Sequence, residues 1–354
     1  MSRFFSAKNA DLVPYTPGEQ PRERTYIKLN TNESPFPPSP RALAGAKAAA
    51  ERAALYPDPT MKALREALAA SLDVTPDCVL PTNGSDEILN FAFAAFCDED
   101  TPAVFADITY GFYSVFADLY RLPTRVIPLE DDFSLDPRKY YRAGGTVFIA
   151  NPNAPTGLAL PLSEIEAIVR ENPDNVVVID EAYVDFGGES AVPLTKKYDN
   201  LLVTQTFSKS RSMAGARLGF GVASSALIRD LDTIKYSTNP YNVNAMTAAM
   251  GIGSLEDAAA TAANCAAIME NRAYTEESLR RLGFDFNPSL TNFVFARHPR
   301  LSGEEVYTAL REKGILVRHF TSPRIAEYNR ITVGSRAEME ALVAALETIL
   351  EERL

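Results

Sequence analysis

Short apolar runs alternate with helical patterns through the middle of this chain. The runs occupy residues 103–107, 126–128, 146–150, 176–180, 201–207 and 219–223. Helical patterns lie between several of them, as in residues 84–96 and 163–171. Short apolar runs are typical of strands buried on both faces, and their alternation with helices predicts a mostly parallel sheet covered by helices. The predicted fold class is therefore α/β.

The two ends of the chain have a different pattern. Seven prolines within the first forty residues favour extended backbone, which predicts an irregular N-terminal arm. Helices are expected over 42–54 and 60–71 because these stretches are rich in Ala, Leu and charged residues.

The C-terminal part is expected to form a smaller α+β domain. A long Ala-rich helical stretch from about 246 to 282 precedes predicted strands at 292–296, 315–317 and 331–333, with helices at 302–313 and from Arg336 onward. We therefore expect an N-terminal arm over 1–40, a large domain over 41–245 and a small domain over 246–354.

Composition excludes several classes of function. The 354 residues carry a formal net charge of −11, which argues against a phosphate backbone as the main partner. Cys78, Cys97 and Cys265 are widely spaced, as is typical of reduced thiols, and His298 and His319 belong to no cluster with metal-ligand spacing. No segment approaches the ~18 apolar residues of a membrane span. We expect a cytoplasmic protein that uses no metal and binds neither nucleic acid nor membrane.

Lys209 follows the apolar run 201–207, within Thr206-Phe207-Ser208-Lys209. A lysine that emerges at the edge of a buried sheet is partly desolvated, which lowers the pKa of its amine and lets it form an imine. Taken alone, the pattern more often marks a surface lysine. Whether Lys209 is a catalytic or a surface lysine therefore has to be judged from the residues at the other strand ends.

Asp180 follows four consecutive β-branched apolar residues, 176–179, with no adjacent lysine or arginine. A buried carboxylate needs a cationic partner, and a protonated pyridine nitrogen would supply one. Tyr183 would then reach a phenolic oxygen on the same ring. A helix cap or a magnesium ligand is an alternative role for Asp180, but the chain has no P-loop pattern to support a nucleotide site.

Three further strand ends carry groups that could bind parts of a cofactor. Gly84, Ser85 and Asp86 begin a helix whose N-terminus suits a phosphate, although Ser85 or Asp86 could equally be a helix cap. Tyr110 could cover a flat ring or fill the core. Asn153 lies in a loop dense in turn formers and could direct its amide at a ring substituent.

Together these edges provide the parts that pyridoxal 5'-phosphate (PLP) requires. These parts are an amine that can form an imine, a carboxylate that can pair with the pyridinium nitrogen, and an aromatic ring that can cover the cofactor. Residues 84–86, Ser208 and Arg217 would form a phosphate cup. The sequence therefore predicts a PLP site.

Three motifs resemble those of a known family. They are the segment 28–40, the loop Asn151-Pro152-Asn153-Ala154-Pro155-Thr156-Gly157, and Thr206-Phe207-Ser208-Lys209 followed by Gly215-x-Arg217-x-Gly219. With them the chain resembles the fold-type I PLP aminotransferases, in the histidinol-phosphate aminotransferase-like branch, over nearly its whole length. The resemblance implies a seven-stranded, mostly parallel sheet flanked by helices.

The resemblance also implies roles for residues around the cofactor. Lys209 would form the imine and later act as the proton-transfer base, and Asp180 would pair with the pyridinium nitrogen. Asn153 and Tyr183 would bond the phenolic oxygen, and Tyr110 would stack on the ring.

The phosphate site implied by the family is shared between subunits. Residues of one chain would hold the phosphate, and Tyr56 of a neighbouring subunit would join them, because the family is dimeric. The residues of the one chain are Gly84, Ser85, Asp86, Ser208 and Arg217.

The substrate site implied by the family uses two arginines and a tyrosine. Arg330 would clamp the substrate carboxylate, Tyr15 would close the arm over the site, and Arg318 would be a second arginine on the substrate side. Anchoring of the arm alone is an alternative role for Tyr15, and pairing with a surface carboxylate is an alternative for Arg318. Arg211 fits either an anion contact or a helix surface.

The reaction expected from the resemblance is amino transfer from glutamate to a 2-oxo acid or to an imidazole-acetol-phosphate-like ketone, in a homodimer. Residues 318–326 form no clear phosphate pocket, so amino transfer is indicated more strongly than histidinol phosphate as substrate. Threonine-phosphate decarboxylation and amino transfer from aromatic or other amino acids stay open. A ligand-sensing regulator would need a DNA-binding segment, for which the short N-terminus leaves no room.

Overall fold

The computed structural model describes residues 2–21 and 23–354. Its strands are β1 (Ile27–Leu29), β2 (Val79–Thr82), β3 (Ala103–Ala106), β4 (Thr124–Ile127), β5 (Thr146–Ala150), β6 (Val177–Asp180), β7 (Leu201–Thr206), β8 (Gly219–Val222), β9 (Asp285–Phe286), β10 (Phe293–Arg297), β11 (Ile315–His319) and β12 (Asn329–Thr332). Its α-helices are α1 (Pro40–Ala50), α2 (Lys62–Leu72), α3 (Ser85–Phe96), α4 (Phe112–Tyr120), α5 (Leu162–Arg170), α6 (Ser225–Thr238), α7 (Ala245–Glu256), α8 (Ala258–Arg281), α9 (Gly303–Glu312) and α10 (Arg336–Arg353).

Within the described residues, seven strands form a large sheet in the order β2-β8-β7-β6-β5-β3-β4. Each neighbouring pair from β7 to β4 is parallel, whereas β8 runs antiparallel to both β7 and β2. All residues of β5, β6 and β8 are buried, as expected for strands covered on both faces. The predicted α/β fold with a mostly parallel sheet is confirmed.

Alternate residues of the central strands face two different hydrophobic clusters. Ile149 and Ile179 pack into a cluster with the helices α2 and α5. Phe148 packs on the other face, where its ring stacks on Phe93 of α3 with centroids 4.0 Å apart. This packing fixes the sheet between two layers of helices, so its carboxyl edge is a rigid place for a site.

A small sheet has the order β1-β11-β12-β10-β9. β1 pairs parallel to β11, with Ile27 opposite Ile315, although it lies in the segment predicted to be an irregular arm. Three residues carry little strand signal of their own, so pairing with β11 determines this strand. The proposed arm and domain boundaries at 40 and 245 stay predictions.

Three further elements differ from their predictions. The stretch 246–282 is two helices, because Asp257 with ψ 47° interrupts it. Strand β2 was not predicted because it contains Pro81, which is tolerated because β2 is an edge strand. The first helix begins at Pro40 rather than residue 42, because the Ser39 hydroxyl accepts a hydrogen bond from the Ala42 amide.

Two further findings concern the cysteines and the helices. Cys78, Cys97 and Cys265 form no disulfide among the described residues. Across residues 2–21 and 23–354, no helix combines the length and the apolar character that a membrane span requires.

Candidate active site

The carboxyl ends of β5, β6 and β7 surround a cavity of about 140 Å³, which we call the inner cavity. Its lining comprises Ser85, Asp86, Tyr110, Ala150, Pro152, Ala154, Asp180, Ala182, Tyr183, Thr206, Ser208, Lys209 and Arg217. An outer cavity of about 520 Å³ shares Lys209, Tyr183 and Tyr110 with it and adds Tyr15, Arg318 and Arg330. Most of the predicted site residues therefore face one continuous space.

Lys209 lies where the sequence placed it, just after β7 and facing both cavities. Its Nζ donates a hydrogen bond of 3.3 Å to the Thr31 carbonyl. Burial, reinforced by the positive charge of Arg330, lowers the pKa of the Lys209 amine to about 8. Such an amine is partly unprotonated near neutral pH, as a nucleophile or proton acceptor must be.

Asp180 ends β6 and is only 4% exposed. Its carboxylate accepts hydrogen bonds from the Tyr113 hydroxyl at 3.2 Å and from the Ala182 amide at 3.3 Å, and it forms no ion pair among the described residues. Burial raises the pKa of Asp180 to about 7. The inner cavity therefore presents a carboxylate that a cation would stabilise.

Tyr113 was not identified as a site residue from the sequence. It lies in the first turn of α4, is fully buried, and orients Asp180. The available signal was its place in the aromatic segment that follows β3 and contains Tyr110, because residues just after a parallel strand lie at the ligand-binding edge of the sheet.

The N-terminus of α3 faces the inner cavity through Ser85 and Asp86. The amides at the first helical positions have no acceptor within the helix, so they are free to bind an anion. Gly84 has φ 77°, and a Cβ there would lie 2.5 Å from Arg217 Nη2. The positive φ therefore favours glycine at 84, whereas the Arg217 guanidinium is the far end of a flexible side chain and could shift.

Asp86 connects two other predicted cofactor residues. Its carboxylate accepts from the Tyr110 hydroxyl at 2.6 Å and pairs with Arg217 Nη2 at 2.9 Å. A carboxylate repels a phosphate, so we expect the Asp86 side chain to orient Arg217 rather than contact the phosphate. Ser208, whose hydroxyl accepts a bond of 3.0 Å from Thr206, lines the same cavity.

Asn153 is a predicted cofactor residue whose side chain does not line the inner cavity. Its amide nitrogen donates to the Ile108 carbonyl and to Thr156 Oγ1, both at 3.0 Å, and its Oδ1 accepts from Thr109 at 2.8 Å. The side chain lines a separate cavity of about 130 Å³. Ala154, the next residue, lines the inner cavity instead. The geometry therefore does not support a bond from Asn153 to a ring oxygen.

Tyr183 lines the inner cavity and is held by a residue that the sequence did not single out. Asn32 Nδ2 donates a hydrogen bond of 2.9 Å to the Tyr183 hydroxyl. Asn32 lies within the N-terminal motif, but its partner is 151 residues away, so only the folded structure reveals this contact.

Arg330 points into the outer cavity from β12. Its Nη2 donates to the Asn30 carbonyl at 3.2 Å, while its buried Nε has no hydrogen-bond partner among the described residues. An unpaired guanidinium nitrogen next to a cavity fits an anionic ligand group.

Arg318 and Tyr15 both contact the N-terminal segment. Arg318 donates to the Thr16 and Pro17 carbonyls at 3.2 and 3.3 Å, so it pairs with the arm and not with a surface carboxylate. The Tyr15 ring stacks on Phe112 with centroids 4.4 Å apart and lines the outer cavity. The arm is thereby held at the mouth of the site.

Two other candidates lie outside both cavities. The Tyr56 side chain is 82% exposed, stacks on Tyr241 with centroids 4.6 Å apart, and lines a surface groove. The Arg211 guanidinium lies 4.9 Å from the centroid of the Phe207 ring. Neither side chain contributes to the site of its own chain.

The residues of the inner cavity fit PLP. Asp180 is a buried carboxylate without a cation, Lys209 is an amine with a lowered pKa, and Arg217 lies beside the free amides of a helix start. These groups complement a pyridinium, an aldehyde and a phosphate, respectively.

Comparison with known proteins agrees with this geometry. Residues 24–346 match the model of the aminotransferase class I and II family. Histidinol-phosphate aminotransferase 2 of Dechloromonas aromatica is 49% identical over 354 residues, which cover 99% of each chain. Histidinol-phosphate aminotransferase 1 of Bradyrhizobium diazoefficiens is 47% identical over 350 residues, or 99% of this chain and 100% of that protein. The crystal structure of histidinol-phosphate aminotransferase from Sinorhizobium meliloti in complex with PLP superimposes with a TM-score of 0.85 at 25% identity, covering 94% of this chain and 93% of that one.

Proposed function

Because this chain belongs to the class I and II aminotransferases and its cofactor is PLP, we propose that it transfers an amino group between glutamate and imidazole acetol phosphate. The family, the enzyme class and the cofactor predicted from the sequence are confirmed. The proposal of this substrate pair is carried by one observation: two relatives named histidinol-phosphate aminotransferase are 47% and 49% identical over their full length.

The inner cavity supports distinct roles for its residues when PLP is bound. The cofactor supplies an electron sink for the substrate's α-carbon. Asp180 would hold the positive charge on the ring nitrogen, and Ser208 and Arg217 would hold the phosphate with the amides of α3. Lys209 is the amine placed to carry a proton to and from the substrate.

The outer cavity supports binding of anionic substrates. Arg330 offers an unpaired Nε, and a guanidinium binds a carboxylate or a phosphate in the same bidentate way. One arginine can therefore serve both the carboxylate of glutamate and the phosphate of histidinol phosphate, the two amino donors that a ping-pong reaction would accept in turn.

The test is a donor panel with the purified PLP-loaded enzyme, followed as loss of the visible absorption of the bound cofactor. Glutamate and histidinol phosphate should each change the spectrum, and 2-oxoglutarate should restore it. Aromatic amino acids and threonine phosphate serve as the competing donors. A spectral change with threonine phosphate accompanied by release of carbon dioxide, or no change with histidinol phosphate, would contradict the proposed function.

We also propose that the enzyme acts as a cytoplasmic homodimer in which Tyr56 enters the partner's site. Leu55 and Tyr56 are 65% and 82% exposed beside an apolar groove between α1, α2 and α7. Large exposed apolar side chains next to such a groove are typical of an interface. The free thiols of Cys97 and Cys265 favour a reducing compartment.

A further inference from the structure

Asn32 is buried, and each of its backbone and side-chain polar atoms forms a hydrogen bond. It is 1% exposed, and its backbone has φ 54°. Its backbone N–H donates to Thr332 Oγ1 at 2.9 Å, and its backbone carbonyl accepts from Asn292 Nδ2 at 3.0 Å. Its Oδ1 accepts from Thr332 Oγ1 at 3.0 Å, and its Nδ2 donates to the Tyr183 hydroxyl at 2.9 Å. Asn32 thus connects strand β12 to the loop after β6.

The direction of these bonds follows from the Thr332 hydroxyl. This hydroxyl accepts from the Asn32 backbone N–H, which can only donate, and its own hydrogen is then available for Asn32 Oδ1. The amide oxygen of Asn32 is therefore on the Thr332 side, and the NH₂ group faces Tyr183. Tyr183 must accept this bond, so its own hydrogen is directed elsewhere.

The Tyr183 hydroxyl lines the inner cavity, so it could donate its hydrogen to the phenolic oxygen of a bound PLP ring. The Asn153 amide is fully engaged outside this cavity, and Ala154 lines it with a methyl group. Burial raises the pKa of Tyr183 above its ordinary value, so the hydroxyl keeps its hydrogen. The charged groups around it are Arg330, Lys209, Asp180 and Asp86.

We propose that Asn32 is a positioning residue that makes Tyr183 a hydrogen-bond donor to the ring oxygen of PLP. The inference rests on the proposed function in so far as it concerns the bound cofactor. A donor at this oxygen stabilises its anionic form and so lowers the pH at which the cofactor-bound Lys209 nitrogen loses its proton. Asn32 would thereby tune the cofactor from a position that does not touch it.

The test is a pH titration of the visible absorption of the PLP-loaded enzyme, without substrate. Tyr183→Phe should raise the midpoint by about one to two pH units, the size of one charge-assisted hydrogen bond. Asn32→Asp has the same shape, but its second oxygen would accept the Tyr183 hydrogen and draw it away from the ring. It should raise the midpoint by a similar amount.

The double variant separates this effect from that of the new charge. If Asn32 acts through Tyr183, Asn32→Asp should shift the midpoint by less than half as much in the Tyr183→Phe background. A full shift in that background, or no shift from Asn32→Asp in the native background, would overturn the proposal.

Two further variants keep the test decisive. Should Asn32→Asp fail to fold, Asn32→Gly tolerates the left-handed backbone and should give a smaller rise that also disappears in the Tyr183→Phe background; a rise that persists there would overturn the proposal. Asn271→Ala removes another buried amide, which bonds the Gly334 carbonyl at 3.0 Å, and should leave the midpoint unchanged; an equal shift in this control would assign the effect to general loosening. Lack of turnover with histidinol phosphate would contradict the proposed substrate but not this titration.

Discussion

Asp180 and Glu181 are adjacent buried carboxyl groups with different surroundings. Asp180 faces the inner cavity, whereas Glu181 accepts bonds from Ser190, Ala191 and Gln205 and does not line the cavity. Burial raises the pKa of each to about 7. The pair therefore provides a site residue and a matched control in consecutive positions.

The pH dependence of stability should reflect Asp180 in the cofactor-free protein. Its pKa is about 7 when folded and 3.8 as the ordinary value, so the folded state retains the proton that the unfolded state loses. The free energy of unfolding should thus fall as pH rises from about 4 to 7, by up to a few kcal/mol for Asp180 alone. Urea denaturation of cofactor-free Asp180→Asn should show a flatter pH dependence.

Adding PLP distinguishes the two carboxyls. The positively charged ring should stabilise ionised Asp180. PLP should therefore reduce the fall in the free energy of unfolding with rising pH in the native protein and in Glu181→Gln, but not in Asp180→Asn. An identical response of Asp180→Asn and the native protein to PLP would refute the pairing of Asp180 with the ring nitrogen.

Arg330 should matter for substrate binding more than for PLP binding, because it lines the outer cavity and not the inner one. Arg330→Gln should raise the KM for amino donors roughly 30- to 1000-fold, because a charged pair loses one partner. This factor corresponds to about 2–4 kcal/mol of binding free energy. The affinity for PLP should stay close to that of the native protein, because Arg330 does not line the inner cavity. Steady-state kinetics test this, with Arg297→Gln as control because Arg297 pairs with Asp285 at the surface. An unchanged KM would remove Arg330 from the substrate site.

Individual residues were predictable where a local motif carries them. Lys209 and Asp180 come at the ends of recognisable apolar runs, Arg217 lies in the glycine motif just before β8, and the structure brings all three to one cavity. Asn32 and Tyr113 were missed because their significance depends on partners that are 151 and 67 residues away. Asn153 was assigned from its motif, but the orientation of its amide depends on Thr109 and Ile108, which the motif does not contain.

At the scale of elements, the start of α3 packs directly against the start of β8. A Cβ at Gly219 would lie 2.3 Å from the Ser85 amide nitrogen and 2.5 Å from the Gly84 carbonyl carbon. Both are backbone atoms and cannot move aside cheaply. The shape of the predicted phosphate cup therefore depends on a glycine at 219.

Gly219→Ala should displace the start of α3 and weaken PLP binding by at least about tenfold, the equivalent of ~1.4 kcal/mol. Gly215→Ala lies in the same motif, but no atom lies within 4 Å of the added methyl group, so its PLP affinity should match that of the native protein. Equilibrium titration with PLP measures both. Equal affinities for the two variants would show that this contact does not shape the cup.

The elements themselves were predicted best where periodicity and length agree. Strands β5 and β7 were placed to within one residue because uninterrupted apolar runs mark strands that are buried on both faces. β1 was missed because its three residues become a strand only by pairing with β11. The break at Asp257 was missed because both flanking stretches favour a helix, so local propensity contained no signal.

For the whole molecule, the proposed shared site predicts complementation between subunits. Lys209→Ala lacks the amine, and Tyr56→Ala lacks the residue offered to the partner. A hybrid dimer would contain one site with native Lys209 and native Tyr56. An equal mixture after random reassociation should recover about one quarter of native activity, since about half of the dimers are hybrids with one intact site each.

Activity assays on the mixed and separate variants, with sedimentation to establish the dimer, measure this recovery. The control mixes Lys209→Ala with Lys209→Ala/Tyr56→Ala, which cannot form an intact site. Recovery no greater than the sum of the separate variants would place Tyr56 outside the partner's site.

We propose that Lys209 is the amine that binds PLP covalently, at a site completed by Asp180 and the start of α3. The most direct measurement is borohydride reduction of the PLP-loaded enzyme, followed by proteolysis and mass spectrometry of the lysine-containing peptides. The mass of the reduced cofactor should appear on the peptide carrying Lys209 and should be absent in Lys209→Ala. A label on another lysine in the native protein, or no label on Lys209, would contradict it.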